Sequence, residues 1–399
     1  MPSLNMTPGS ARPIRILFID DQREVAKTLA ALLGRDAVEC RFADNGEAGL
    51  ARLLKEVYDL AVIDLRMPPG QWGGLWLLQE LNNRGLSVDT LVLSGEAGQS
   101  ETIEAMRLGA LDFVVKDNAS SELADQVCRV LAQGAETRSI FAAAQLPTPV
   151  ALPYQRMRVP TDPETQLLAS LAAAEAVMRF CALAGLAVVR ANGALDQSLV
   201  SRLAGPSLGT WRDVCRALQP HVGDHALGRW MEAASGREAD GVVQHRNDTF
   251  HGGGVPTVGV TQALADVSGW VDFFVLAVRS GPPIELVVAG SLDFNGITSS
   301  VELARLAGAA SAVAWNRREL PAPLVKGRVY LHSKSGEYLD MWPLVLAEQT
   351  GSRGDWKVSI MDGFRKTHSA AATNDRLRYV NAAAGGRFTS TDHVLGDLA

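Results

Sequence analysis

Residues 14 to 21 read IRILFIDD, an apolar run that ends in two aspartates, and three later runs have the same design. They are LAVIDLRMP (60 to 68), TLVLSGE (90 to 96) and LDFVVKD (111 to 117). Amphipathic stretches separate the four runs. Short apolar runs that alternate with helical patterns are typical of βα units on a parallel sheet, which is buried on both faces. The sequence therefore predicts a doubly wound α/β fold for this part of the chain.

Polar side chains close each of these apolar runs. They are Asp20, Asp21, Asp64, Ser94 and Lys116. The carboxyl ends of parallel strands meet at one edge of the sheet, and ligands bind at that edge in open α/β folds. Neighbouring carboxylates repel one another, and oxygen ligands are what Mg²⁺ prefers. The pattern predicts a magnesium site at this edge.

This arrangement resembles the receiver domain of bacterial response regulators over residues 14 to 134. The resemblance implies a (βα)5 fold in which Asp64 is the phosphoacceptor. It implies that Asp20 and Asp21 hold Mg²⁺, together with Asp64 and the backbone carbonyl of Arg66. The phosphoryl donor implied by the family is a sensor histidine kinase or a phosphotransfer protein.

The resemblance gives roles to three further residues. Ser94 matches the switch hydroxyl, Phe113 the switch aromatic, and Lys116 the lysine that pairs with the phosphoryl group. Two features depart from the family pattern. Asp117 follows the lysine where the family usually has proline, and the loop that contains Trp72 is one or two residues longer. A receiver that folds without being phosphorylated is the alternative interpretation.

Length and charge limit the other functions. The chain has 399 residues, enough for two or three domains, and a formal net charge of −6. The sequence shows no large cluster of basic residues of the kind that binds nucleic acids. DNA is the least expected partner because no predicted helix carries clustered Arg and Lys. The cysteines form no CxxC pair, which fits a reducing cytosol. They are Cys40, Cys128, Cys181 and Cys215.

The ends and apolar stretches of the chain predict a cytoplasmic protein. Residues 1 to 13 lack the charged and apolar regions of a secretory signal, and their composition predicts a disordered tail. The longest apolar stretch, 167 to 189, contains Glu175 and Arg179 and is interpreted as a core helix. No membrane association is expected.

After the predicted receiver domain, Pro and Gly residues divide the chain into three more segments. Residues 135 to 165 collect five prolines and predict a linker. Residues 166 to 280 predict an all-α bundle. Residues 281 to 399 contain short β-like runs and predict a small antiparallel, β-rich domain, with a short helix near 298 to 310.

The helical segment contains VVQHRNDTFHGGG at 242 to 254. This sequence resembles the Arg-x4-His motif of HEPN domains, which are all-helical, commonly dimeric and often metal-independent ribonucleases. The resemblance implies a homodimer with RNA as a candidate ligand. It casts His251 as general acid/base, Arg246 as the phosphate-binding group and Asn247 as the residue that orients them.

A plainer interpretation of the same residues stays open. Arg246 and His251 lie ~140° apart on an ideal helix, so they share a face only if the helix ends between them. They could instead tie the bundle together and stabilise a helix terminus. The output would then be an interaction or nucleotide-sensing module without catalytic activity.

Overall fold

The computed structural model describes residues 12–34, 38–95, 99–223, 225–251, 257–294, 297–308, 315–333, 336–350, 355–366 and 372–398. The chain divides into two compact units. The first contains residues 1–140 and 275–282, and the second contains 141–274 and 283–399. The bundle and the β-rich part therefore belong to one compact unit. The domain boundaries at 134, 165 and 280 remain predictions.

The first unit is built on a five-stranded parallel sheet with the order β2-β1-β3-β4-β5. Its strands are β1 (Ile14–Ile19), β2 (Val38–Ala43), β3 (Leu60–Asp64), β4 (Thr90–Ser94) and β5 (Asp112–Val115). Its helices are α1 (Arg23–Ala31), α2 (Gly46–Lys55), α3 (Gly73–Arg84), α4 (Gln99–Arg107) and α5 (Ala119–Gln145), the last of which continues into the second unit. The predicted doubly wound α/β architecture is confirmed.

Both faces of this sheet are buried. Along β1, Ile16 and Phe18 pack into the core on one face, and Leu17 and Ile19 pack into the core on the other. Successive side chains of a strand point to opposite faces, so a strand covered on both sides must be apolar throughout. This is why the decisive sequence is a continuous apolar run.

The second unit begins with helices. They are the end of α5, α6 (Thr148–Met157), α7 (Pro163–Ala191), α8 (Gln197–Ser201), α9 (Leu208–Val222), α10 (Gly228–Ser235), α11 (Glu238–His251) and α12 (Thr257–Arg279), the last of which ends in the first unit. The segment predicted as a linker thus holds the end of α5 and all of α6. The Asp162 side chain caps α7 by accepting a hydrogen bond from the backbone N–H of Thr165.

Helix α7 forms the centre of the second unit. Phe180 packs on Trp230, and the Trp230 ring meets Phe274 edge to face, with ring centroids 5.9 Å apart. Among the described residues, two helices are long and apolar enough to cross a membrane, α7 and Gly259–Arg279, but most of the apolar stretch in α7 is buried within the protein. Burial of that kind is typical of a core helix, as predicted.

Two antiparallel sheets complete the second unit. One has the order β10-β9-β6-β7-β8 and the other β11-β12-β13-β14. Their strands are β6 (Ile284–Phe294), β7 (Ser299–Arg305), β8 (Trp315–Leu320), β9 (Val329–Ser333), β10 (Tyr338–Asp340), β11 (Val345–Thr350), β12 (Asp355–Arg365), β13 (Arg376–Asn381) and β14 (Arg387–Val394). The predicted antiparallel β-rich segment is confirmed.

The short helix predicted near 298 to 310 is wrong. Residues Ser299–Arg305 form β7, which pairs with both β6 and β8. Ser299, Val301 and Leu303 are buried, whereas Ser300 and Glu302 are half-buried. A period of two suits a strand with one covered face, and that pattern prevails over the helical propensity of Glu, Leu and Ala.

Candidate functional site

Three carboxylates gather at the carboxyl edge of the parallel sheet. Asp20 follows β1 and Asp64 is the last residue of β3. These neighbouring strands pair with Ile19 opposite Ile63, which brings the two aspartates to the same level. Oxygens of Asp20, Asp21 and Asp64 lie within 4.8 Å of one another. Asp20 and Asp64 are 2% and 3% exposed, whereas Asp21 is exposed.

One ammonium group serves two of these carboxylates. Lys116 follows β5, and its Nζ lies 2.9 Å from an oxygen of Asp20 and 2.9 Å from one of Asp64. Burial raises the pKa of Asp64, and the charge of Asp20 adds to that effect, while Lys116 opposes it. Burial opposes the charged form of Lys116, yet its bonds to the two aspartates outweigh burial and raise the lysine pKa.

The donor set fits a hard divalent cation. Three carboxylates face a single ammonium group, so the cluster carries an excess of negative charge, and its donors are all oxygens. Receiver domains bind Mg²⁺ at such an acidic site. Asp20, Asp21 and Asp64 are the side chains that would hold the ion here.

The other predicted receiver residues lie around this cluster. The backbone N–H of Arg66 donates to Asp64 over 3.3 Å. Ser94 ends β4, but its side chain lies outside the described residues. Phe113 lies on β5 and is 43% exposed. Asp117, which replaces the usual proline, is exposed and does not prevent Lys116 from reaching both aspartates.

The longer loop folds back closely on itself before α3. Gly73 begins α3, and a Cβ at that position would lie 2.3 Å from the backbone oxygens of Met67 and Pro68. Only glycine permits such an approach. Trp72, which precedes it, is half-buried and packs against the core of the first unit.

The motif in the helical segment lies on one helix. Arg246 and Asn247 are half-buried on α11, and that helix ends at His251, whose side chain lies outside the described residues. The triple glycine at 252 to 254 also lies outside them. The structure therefore describes the helix that carries the motif and not the approach of Arg246 to His251.

Three polar contacts described in the structure were not predicted. Buried Asp89, which precedes β4, pairs with Arg279 over 2.7 Å and with Arg138 over 3.4 Å within the first unit. On α11, His245 Nε2 lies 2.9 Å from Asp266 of α12. The chain offers no local signal for the Asp89 to Arg279 pair, because 190 residues separate its members.

A family model for the response regulator receiver domain matches residues 16–128. This range contains all of the predicted receiver site residues. The prediction of a receiver domain in the first third of the chain is therefore confirmed. The family model does not reach the helical and β-rich segments.

Curated relatives match about a third of the chain or less. The two-component response regulator PprB of Pseudomonas aeruginosa is 32% identical over 122 residues, which are 30% of this chain and 44% of PprB. The transcriptional regulatory protein DltR of Streptococcus agalactiae is 27% identical over 110 residues, 28% of this chain and 48% of DltR. The chain spans about half the length of these relatives.

Solved receiver structures match as well. A CheY-like receiver domain protein from Methanospirillum hungatei is 21% identical with a TM-score of 0.29, and the match covers 31% of this chain and 98% of that one. The receiver domain of NtrX from Brucella abortus is 26% identical with a TM-score of 0.28, covering 29% and 98%. By the family match and its curated relatives, residues 16–128 form the receiver domain of a two-component response regulator.

Proposed function

We propose that this protein accepts a phosphoryl group on Asp64 and thereby controls an output in the rest of the chain. The observation that supports the proposal best is the position of Lys116 Nζ, 2.9 Å from both Asp64 and Asp20. A buried acceptor beside a fixed cation suits a reaction in which negative charge builds up on oxygen. The cognate donor is a sensor histidine kinase or a phosphotransfer protein, because such proteins phosphorylate receiver domains.

The chemistry follows from the positions of the groups. A carboxylate oxygen of Asp64 attacks the phosphorus of a phosphohistidine, the P–N bond breaks, and the donor imidazole keeps the electron pair. Lys116 stabilises the charge that develops on the phosphoryl oxygens. Mg²⁺ held by Asp20, Asp21, Asp64 and the Arg66 carbonyl would supply further charge neutralisation.

The added phosphoryl group is the signal. It brings new negative charge and acceptor oxygens, and in this proposal Ser94 and Lys116 bind those oxygens. Phe113 lies on β5, three residues before Lys116. In this proposal the Phe113 ring changes its position when the phosphoryl group is bound.

Labelling with acetyl phosphate tests the acceptor. The wild-type chain should take up phosphoryl groups only with Mg²⁺, and Asp64→Asn should take up none because an amide cannot act as the attacking oxyanion. Asp125→Asn removes an exposed carboxylate on α5 and is the matched control. Equal labelling of Asp64→Asn and Asp125→Asn would refute the assignment.

We propose further that the helical segment is a HEPN-like output that cleaves RNA without metal as a homodimer. The observation that favours this function is the course of α11, which carries Arg246 and Asn247 and ends at His251. His251 would take the proton of a ribose 2′-hydroxyl as that oxygen attacks the adjacent phosphodiester. The bond from phosphorus to the 5′-oxygen would break, the leaving 5′-oxygen would take a proton from His251 or water, and Arg246 would bind the phosphate.

Cleavage products distinguish this output from an interaction module. Single-stranded RNA should be cut in the presence of EDTA to leave a 2′,3′-cyclic phosphate, and DNA of the same sequence should stay intact because it lacks the 2′-hydroxyl. His251→Ala should lower the rate by about 10² to 10⁴, with His221→Ala as the matched control. RNA left intact by both the phosphorylated and unphosphorylated protein would favour the interaction module.

A further inference from the structure

A cavity of about 210 Å³ lies within the second unit between α6, α7 and the β12–β13 part of the four-stranded sheet. Its walls are largely apolar and come from small or rigid side chains. They include Pro149, Pro153, Ala169, Ala172, Ala176 and Ile360. This volume would hold about seven atoms of the size of a water molecule. The cavity is therefore large enough for a small organic molecule and not just for one water.

Charged side chains line one side of this cavity. Arg156, Arg179 and Arg387 contribute three positive charges, and Glu175 contributes one negative charge. Asp362, which is buried behind the wall, pairs with Arg179 over 2.9 Å and with Arg387 over 2.7 Å. With Asp362 included, three cations face two carboxylates. The cavity therefore has room for one more negative charge.

The three arginines of the cavity differ in how many of their groups are paired with carboxylates. Arg179 is nearly fully buried, and it also pairs with Glu175. Its Nε has no hydrogen-bond partner in the part of the chain that the structure describes. Arg156 is exposed at the cavity and forms no ion pair with the described residues. The positive charge that remains available thus belongs to Arg156, while Arg387, at 63% exposed, lies beside it on the same lining.

We propose that this cavity binds a small monocarboxylate with an apolar body. The apolar part would lie against the alanines of α7 and Ile360, where its burial is favourable. The carboxylate would accept charge-assisted hydrogen bonds from Arg156. The single excess positive charge favours a monoanion over a doubly charged phosphate, and the apolar walls favour a carbon body over a fully hydrated ion.

Such a ligand would join α6 and α7 to β12 and β13. The site belongs to the second unit alone, so the proposal is independent of phosphorylation at Asp64 and of RNA cleavage. The second unit would then respond to a small molecule as well as to phosphorylation of the first unit.

Binding of hexanoate to the full chain tests the proposal, with 1-hexanol and hexylamine as probes of equal chain length. Isothermal titration should show hexanoate binding with a Kd on the order of 0.1 to 1 mM, as expected for a ligand of its size. Hexanol should bind more weakly, and hexylamine should not bind. Inorganic phosphate binding more tightly than hexanoate would overturn the proposal.

Two variants locate the site. Arg156→Gln should weaken hexanoate about tenfold through loss of one charge-assisted hydrogen bond. Arg237→Gln removes an exposed arginine of the same unit and should leave binding unchanged. Ala169→Leu should abolish binding by filling the cavity, with the fold checked by circular dichroism. Equal effects of the two arginine variants, or hexanol binding as tightly as hexanoate, would contradict the proposal.

Discussion

Two clusters of charge, one in each unit, differ in how their charges balance. In the first unit, Asp20 and Asp64 share Lys116, and Asp21 lies beside them, which leaves an excess of carboxylates at the edge of the sheet. In the second unit, Arg179 and Arg387 alternate with Glu175 and Asp362, two cations with two anions. We name the first the acidic cluster and the second the paired cluster. The excess of carboxylates suits the acidic cluster to bind a cation and a phosphoryl group. The balanced charges of the paired cluster suit it to hold secondary-structure elements together.

The balance in the paired cluster comes from three parts of the second unit. Glu175 and Arg179 lie on α7, Asp362 lies on β12 and Arg387 begins β14. Burying charges costs free energy unless each finds a partner, so removal of one member should cost far more than an exposed ion pair contributes. In the acidic cluster Lys116 pairs with Asp20 and Asp64, so removal of the third carboxylate, Asp21, should have the opposite sign because it relieves repulsion.

The largest expected effect is the loss of the Asp362 charge. Asp362→Asn should lower the free energy of unfolding by about 3 to 5 kcal/mol, since Arg179 would keep a buried charge with one partner fewer. Urea denaturation followed by tryptophan fluorescence measures the loss. Asp293→Asn breaks an exposed pair with Arg317 over 2.7 Å and should cost less than ~1 kcal/mol. If Asp362→Asn and Asp293→Asn lost equal free energy of unfolding, the distinction between buried and exposed ion pairs would be contradicted.

Loss of the Lys116 charge should slow the phosphorylation reaction. Lys116→Met should slow labelling by acetyl phosphate roughly 10² to 10³-fold, because the transition state loses its nearest fixed positive charge. Lys55→Met, on α2, serves as the matched control and should label at the wild-type rate. Unchanged labelling of Lys116→Met would show that its contacts with Asp20 and Asp64 serve the fold alone.

A smaller effect of opposite sign is expected at Asp21. Without Mg²⁺, Asp21→Asn should raise the free energy of unfolding by roughly 0.5 to 1 kcal/mol, because one of three mutually repelling carboxylates is gone. Added Mg²⁺ should stabilise the wild-type chain more than the variant, since ligand binding to the folded state raises its stability. A destabilised Asp21→Asn that responds normally to Mg²⁺ would contradict the repulsion argument.

The smallest effect concerns pH and His332 in the five-stranded antiparallel sheet. Burial lowers the His332 pKa, and the Arg318 charge adds to that effect, while a hydrogen bond to the Glu337 carbonyl and the Glu285 charge oppose it. A histidine whose folded pKa lies below its unfolded value of 6.5 takes up its proton more readily when unfolded. Stability should therefore be full above that value and fall as the pH drops below it.

His332→Gln isolates that contribution. The variant should lose part of the decline in stability between pH 7 and pH 5 that the wild-type chain shows in urea denaturation. His221→Gln, on α9, is the control. A decline of equal size in His332→Gln and the wild-type chain would exclude His332 as its source.

The acidic cluster was predictable because its residues stand at the ends of strands. Asp20, Asp64 and Lys116 each close a local apolar pattern, and the topology of a parallel sheet then brings them together. The Asp89 to Arg279 pair has no such local sign. In the paired cluster, Glu175 and Arg179 are one helical turn apart, but their partners Asp362 and Arg387 lie far along the chain. Arg179 and Asp362 lie on a helix and a strand far apart in the chain, and either could have been an exposed charge. The helical character of residues 166 to 280 was predicted, but α6 was missed in the segment predicted as a linker. Strand β7 was mistaken for a helix because its alternating pattern spans only seven residues.

The most direct test of the account is to identify the modified residue in the intact chain. The protein is treated with acetyl phosphate and Mg²⁺, its acyl phosphate is converted to a stable derivative by borohydride reduction, and its peptides are sequenced by mass spectrometry. The account predicts modification at Asp64 and at neither of its neighbours in the cluster, Asp20 and Asp21. Modification at another residue, or none at Asp64 in a folded protein, would contradict it.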